Sequence, residues 1–347
     1  MERLRAAVFG TVLMLIIGWL LYIGKDIFVP AVLGAVIVYV IVGLAQALGR
    51  LPLLGPWLPQ RLRYVFSMAL IGLAFTMLIY LMMANKERAL ALAPQYQESL
   101  LAAIQGIAVQ FGFEQEPTWA TLRQDLLGRI SLQRLLGSVL TSAGSIVLSF
   151  VVVSLYAIFL LAELRSFEAK LANLSDDPKR VARIREVIRV INRRIGAYLA
   201  LKTIISVLLG AVSWGIMTLF GLEFALLWAV LAGFLNFVPY IGSVLGVVFP
   251  VLMAVVQFGE FGVVLTLLLA LTAAQFAIGN FLDPYLMGSS LNLSPFAILI
   301  SLAIWSELWG IPGAFLAVPI TAIVAIVLSE FRGTRPVAVL LSKNGAI

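Results

Sequence analysis

Cysteine and histidine are both absent from this 347-residue chain, and charged side chains make up only 12% of it. The missing cysteine excludes disulfides, thiolate metal sites and a thiol nucleophile, and it leaves the redox compartment unreadable. The missing histidine removes imidazole bases, most zinc and haem sites, and the side chain that most often senses pH near neutrality. Carboxylates, lysine and tyrosine are what remain for proton chemistry. A membrane-embedded enzyme draws its nucleophile, base or metal set mostly from the missing types. No paired-aspartate or nucleotide-binding motif takes their place, so the chain does not read as an enzyme, and no cofactor or metal is expected.

What is present is apolar. Hydrophobic residues account for 62% of the chain, where a soluble domain has roughly 45–50% apolar and about 25% charged residues. A single soluble core is excluded. Residues 6–23, 27–48, 64–85, 135–162, 203–222, 224–259, 261–282, 284–306 and 308–329 contain no Asp, Glu, Lys or Arg, and uncharged stretches of about 18 or more can cross a bilayer. The fold class is therefore an all-α polytopic membrane protein with six to eight transmembrane helices. The N-terminal run exceeds the usual signal-peptide core of about 7–15 residues and no small-x-small cleavage site follows it, so it reads as the first span. The net charge of +7 does not point to nucleic acid, because the basic residues sit in loops where a cytoplasmic excess is expected.

With the N-terminus inside, and with Lys202 left to its span, the inner segments carry 17 Lys and Arg and the outer ones 6. That asymmetry predicts both termini in the cytoplasm. It also divides the chain: three transmembrane helices in 1–85, an extracytoplasmic amphipathic helical insertion in 86–134, a fourth span in 135–162, a cytoplasmic basic amphipathic helix in 163–202, and a C-terminal transport core in 203–347. The insertion places Leu100, Ile104, Ile107 and Phe111 at helical spacing. The basic helix is predicted to start at Pro178, after Ser175-Asp176-Asp177, a capping group before a proline at the first helical position. Val181, Ile184, Ile188, Ile191 and Ile195 form its apolar stripe, and seven basic residues face a single Glu186. Such a helix suits an anionic membrane surface. Lys202, at the start of the next span, is expected to snorkel to that interface.

The C-terminal core has a different texture. FALLWAVLAGFLNFVPYIGSVLGVVFPVLMAVV (224–256) and FAILISLAIWSELWGIPGAFLAVPITAIVAIVL (296–328) are alike: each starts Phe-Ala, runs apolar, breaks at a Pro/Gly cluster and resumes toward a second proline. As one straight helix, either would be about 50 Å long against a hydrocarbon core of roughly 30 Å. A break within the run frees backbone groups that lipid cannot satisfy. Paired interruptions of this kind point to a transport site, either as re-entrant hairpins or as kinked full spans; charge counting does not separate the two.

The strings FLNFVPYIG, NFLDPYLMGSSLNLSPF and LWGIPGAFLAVPI, in this order and at these separations, resemble the signature of the autoinducer-2 exporter family of bacterial permeases, and the resemblance extends over essentially the whole chain. It implies a multi-pass, oligomeric transporter of the bacterial inner membrane. Some members of that family are associated with export of the quorum-sensing signal autoinducer-2, and others resemble cation/proton antiporters. One local departure is Ser306-Glu307 ahead of Leu308-Trp309-Gly310.

The polar groups near the breaks are the candidate pathway: Asn236, Pro239 and Gly242 in the first interrupted segment, Gln275, Asn280, Asp283 and Asn292 between the two, and Glu307, Gly310, Pro312 and Gly313 in the second. Carboxylates close to a bilayer face a cavity or a partner by default, and amides suit a polyhydroxylated solute or complete a shell around sodium. Each amide could equally be interhelical glue worth about 1 kcal/mol. The expected function is secondary transport of a small polar solute, an autoinducer-2-like molecule first, with coupling to sodium or protons as a hypothesis. A sodium (or potassium)/proton antiporter and an oligomeric membrane scaffold or regulator are the alternatives.

Overall fold

A computed structural model of the chain describes residues 2–50, 58–85, 143–287 and 291–345, together with 87–88, 91–92 and 98. The expected helical insertion at 86–134 falls almost wholly outside the described residues. Among those described the secondary structure is helical: α1 (Glu2–Ile23), α2 (Lys25–Arg50), α3 (Gln60–Ala84), α4 (Ala143–Ala172), α5 (Pro178–Leu219), α6 (Ala225–Leu235), α7 (Ile241–Phe258), α8 (Phe261–Ala277), a π-helical turn (Ile278–Leu282), α9 (Asp283–Met287), α10 (Pro295–Ser329) and α11 (Arg335–Leu341). Seven helical segments are long and apolar enough to cross a membrane. The protein is an all-α, multi-pass membrane protein.

Two compact units divide the chain. One comprises Met1–Met68, Leu148–Leu201 and Met287–Ile347, the other Ala69–Val147 and Lys202–Leu286. In the first, α2, α5 and α10 bury Val36, Ile195, Leu199, Leu316 and Ala322. In the second, α5, α6, α7 and α8 bury Met217, Ala229, Ala254, Leu267 and Leu271. Elsewhere the apolar side chains are widely exposed along the helices, as a lipid-facing surface requires.

α5 starts at Pro178, with the Asp177 carboxylate accepting from the Lys179 N–H at 2.9 Å, a capping bond that satisfies one orphan donor. The helix then continues for 42 residues, about 63 Å at 1.5 Å per residue. The basic amphipathic segment and the following span are therefore one continuous run of helix rather than two elements separated near residue 202. At the other end of the chain, α1 and α2 meet in a bend rather than a loop: Gly24 N–H bonds Leu20 O at 2.8 Å and Phe28 N–H bonds Gly24 O at 2.9 Å.

Both interrupted segments double back. In the second unit, α6 and α7 lie against each other, with the Trp228 and Phe249 rings 6.2 Å apart; the 21 residues between them would span about 31 Å of straight helix. Gln257 ties the two ends together, its side-chain oxygen accepting from Glu223 N–H at 2.8 Å and its amide donating to Gly221 O at 2.9 Å. In the first unit, α10 is two helices folded at Gly310, whose φ of 65° and ψ of −142° lie outside any helix. Trp305 Nε1–H donates across the fold to Thr321 Oγ1 at 3.1 Å. The base of this hairpin is pinned by α11, through Ser294 N–H to Leu341 O at 2.9 Å and Lys343 N–H to Asn292 O at 3.0 Å. Ser294 also caps the first arm, accepting from Ala297 N–H at 3.1 Å, with Pro295 following it.

The α6 arm has 11 residues, about 16 Å, and cannot cross a core of roughly 30 Å. With its two ends joined by Gln257, α6–α7 is a helical hairpin rather than one kinked helix. The arms of α10, residues 295–309 and 311–329, are folded in the same way.

Candidate functional site

The candidate residues fall into two sets, one in each unit. In the second unit the tip of hairpin α6–α7 is a tight reversal. Tyr240, at φ 61° and ψ −55°, is the centre of a γ-turn in which Ile241 N–H bonds Pro239 O at 2.6 Å, the rare and strained positive-φ form of that turn. Pro239 sets the approach by locking its own φ. Gly242 completes it, because a side-chain carbon there would overlap the Leu235 carbonyl. Strained backbone is retained at functional tips at a cost of about 1–3 kcal/mol per residue. Tyr240→Gly is expected to leave thermal stability in detergent unchanged or higher, because glycine adopts positive φ without strain, while slowing any process that depends on a stiff tip. A clear drop in stability would show that the tip is not strained.

Asn236 ends α6 and is buried. Its amide donates to Ser206 Oγ on α5 at 3.0 Å, fastening the hairpin to that helix. One turn earlier on α5, Lys202 donates to Asp283 Oδ2 at 2.9 Å, with the two side chains only 9% and 20% exposed. Lys202 does not snorkel. A carboxylate is within reach inside the unit, and a paired charge need not climb to water. The second carboxylate oxygen, Asp283 Oδ1, is buried and makes no hydrogen bond among the described residues.

The π-helical turn Ile278–Leu282 immediately precedes Asp283, whose N–H closes it by bonding Ile278 O. One extra residue in the turn re-phases the helix, and such turns recur at functional sites. Asn280 lies in that turn, exposed, with its amide donating to Phe276 O at 3.3 Å. Gln275 is half-buried on α8.

In the first unit the hairpin tip gathers Glu307, Gly310, Pro312 and Gly313. Gly310 occupies backbone space that is essentially glycine-only. Gly313 is buried where a side-chain carbon would overlap the Trp305 carbonyl, so the two arms touch backbone to backbone just below the tip. Glu307 is exposed. Trp309, buried beside it, donates its indole N–H to Leu21 O at 3.0 Å, at the bend between α1 and α2. It is a structural anchor rather than an interfacial tryptophan.

Asn292 stands apart from this group. It is at the base of the hairpin, a whole arm away from Gly310, with φ at 48° and its carbonyl held by Lys343. Its backbone therefore serves the chain reversal before α10, and the residue is not at the tip.

Three participants were not legible as such in the sequence. Lys202 and Ser206 share a face of α5 at i, i+4, a spacing that marks a polar stripe on a helix otherwise apolar there. Tyr240 carries no signal beyond lying between Pro239 and Gly242.

Comparison with known proteins adds four findings. The family profile described as AI-2E family transporter matches residues 9–333. AI-2 transport protein TqsA of Escherichia coli K12 is 31% identical over 330 residues, covering 91% of this chain and 90% of that protein. A candidate transport protein of Borreliella burgdorferi is 39% identical over 194 residues, covering 56% of this chain and 53% of that protein, and the candidate transport protein YhhT of E. coli K12 is 30% identical over 273 residues, covering 78% and 76%.

Proposed function

Because the chain belongs to the AI-2E family of transporters, which are permeases and not enzymes, we propose that it is a secondary transporter moving a small polar solute across the cytoplasmic membrane of a bacterium. An autoinducer-2-like signalling molecule is the lead candidate, on the strength of the name carried by TqsA at 31% identity. The observation that carries the reading is the pair of helical hairpins with non-helical tips at Tyr240 and Gly310. A tip of this kind leaves backbone N–H and C=O groups that lipid cannot satisfy, and it is stable only against protein or water. Broken helices of this sort supply substrate and ion sites in secondary transporters.

Each tip offers its own hydrogen-bonding groups to a polyhydroxylated solute: backbone dipoles beside Asn236 in the second unit, and backbone dipoles beside Glu307 in the first. Ion coupling would act at Lys202 and Asp283, where a proton or sodium ion competing for the carboxylate would release the lysine. That same carboxylate, with one oxygen left without a hydrogen bond among the described residues, favours a second reading, exchange of sodium or potassium for protons. The basic-residue asymmetry supports placing both termini in the cytoplasm, and the resemblance to the family supports a homo-oligomeric working form.

The test is efflux from proteoliposomes loaded with labelled autoinducer-2, with no gradient, with a pH gradient and with a sodium gradient. Efflux above that of protein-free vesicles is the expected result, accelerated by one of the two gradients. Cation-driven proton movement without solute efflux would replace the proposal with exchange. Absence of both fluxes from folded protein would favour a scaffold or regulator.

A further inference from the structure

A cavity of about 240 Å³ opens between the end of α4 and the basic half of α5, wholly within the first unit. Its wall has two characters. Phe167, Leu171 and Ile188 supply apolar surface, and Arg185, Arg189, Asn192 and the carboxylate of Glu168 supply polar groups. Leu164 and Phe167, 51% and 39% exposed, continue the apolar wall outward.

The polar side is built rather than incidental. Asn192 is held by the Tyr39 hydroxyl, which donates to its side-chain oxygen at 2.6 Å. Arg185 Nε lies 3.3 Å from a Glu168 oxygen without the alignment of a hydrogen bond, and it is buried with no hydrogen-bond partner among the described residues. Arg189 meets Glu186 through one nitrogen. A guanidinium has five N–H donors in a fork that fits phosphate, and these contacts engage only part of each. The helix that carries them holds seven basic residues between Lys179 and Arg194 against its single Glu186; with Glu168 of the cavity wall counted as well, the basic residues remain in excess, so the local potential favours an anion. An inorganic anion would need the arginines but not the apolar wall.

We propose that this cavity binds an anionic phospholipid, with its phosphodiester on Arg185 and Arg189 and the start of an acyl chain along Phe167, Leu171 and Ile188. The volume accommodates a headgroup and its first methylenes, and the rest of the chain leaves past Leu164. Two contacts link the site to the surrounding unit: Asn192 to Tyr39 on α2, and Arg183, whose Nε donates to Glu330 Oε2 at 3.1 Å at the end of hairpin α10. This assignment does not depend on which solute the protein moves.

The experiment is native mass spectrometry of the full-length protein in detergent with equimolar phosphatidylglycerol and phosphatidylcholine, with a parallel thermal-shift series using inorganic phosphate. Phosphatidylglycerol is expected to be retained preferentially. Removing both cavity arginines (Arg185→Gln with Arg189→Gln) should reduce that preference roughly thirtyfold, on the scale of surface lipid–arginine attraction. Arg193→Gln with Arg194→Gln, on the same helix but outside the cavity, should keep most of it. If the double cavity variant does not fold, Arg189→Gln alone, at a largely exposed side chain, should show a several-fold loss. Equal retention of the two lipids, or equal loss in the control variant, would overturn the site. Stabilisation by inorganic phosphate as large as that by phosphatidylglycerol would overturn the lipid assignment in favour of a free anion.

Discussion

Lys202→Met, with Asp283 left in place, is expected to destabilise the protein by about 3–5 kcal/mol, because it strands a buried carboxylate. The Lys202 ammonium and the Asp283 carboxylate are 2.9 Å apart, and both are largely shielded from solvent. Neither charge can be removed alone without leaving the other uncompensated in surroundings of low polarity. The double variant Lys202→Met with Asp283→Leu removes both charges and should recover most of the loss, since replacing a buried ion pair by apolar residues of similar volume is often neutral or stabilising. Thermal unfolding in detergent, followed by loss of monodispersity, reads both effects. Near-equal stability of the single variant and wild type would show that water reaches the pair and that it is not buried.

The double variant also separates structure from transport. Where the pair is only a brace, the refolded double variant transports as well as wild type. Where Asp283 couples an ion to solute movement, the same stable protein loses gradient-driven flux while passive efflux survives. Asp283→Asn with Lys202 retained is less informative, because it leaves a buried lysine whose cost is of the same order as the effect sought.

The second large effect belongs to hairpin α10. Gly310 has φ 65° and ψ −142°, a region costing other residues on the order of 1–3 kcal/mol. Gly313 offers no room for a side-chain carbon beside the Trp305 carbonyl. Gly313→Ala must therefore force the arms apart, and overpacking of this kind typically costs about 1–3 kcal/mol or more. It also loosens the Trp305 to Thr321 hydrogen bond across the fold. The combined Gly310→Ala, Gly313→Ala variant is expected not to accumulate in the membrane as folded protein. Gly279→Ala, where a side-chain carbon meets nothing within 4 Å, is the control and should be well tolerated. Equal expression and thermal stability of both would show that the chain does not double back at Gly310.

Local chemistry was legible in the sequence, and long-range pairing was not. The start of α5 at Pro178 follows from Asp177 and Pro178 alone, since capping is decided within a few residues. The two interruptions announce themselves through Pro239, Gly242, Gly310, Pro312 and Gly313, which are costly in an unbroken helix. That the chain reverses there depends on contacts such as Gln257 with Glu223 and Trp305 with Thr321, which no periodicity records. Lys202 is a case of the same kind. Its neighbours in sequence place it at the start of an apolar run, whereas its partner Asp283 lies 81 residues away. Asn292 looked like Asn236 in composition alone; the first serves a chain reversal and the second holds α6 on α5. The membership of the family could be read because it rests on short motifs, which are local too.

The absence of native cysteine gives the central claim a clean test. If each hairpin tip faces water that solute can reach, single cysteines at Ile241 and Ile311, exposed positions beside the two breaks, should react with a water-soluble, membrane-impermeant thiol reagent in reconstituted vesicles. Added solute should slow that reaction. Cysteines at Leu265 and Leu299, exposed on helix faces away from the breaks, should react little and be unaffected by solute. Tip cysteines that label no faster than those two, or that solute leaves untouched, would contradict the account.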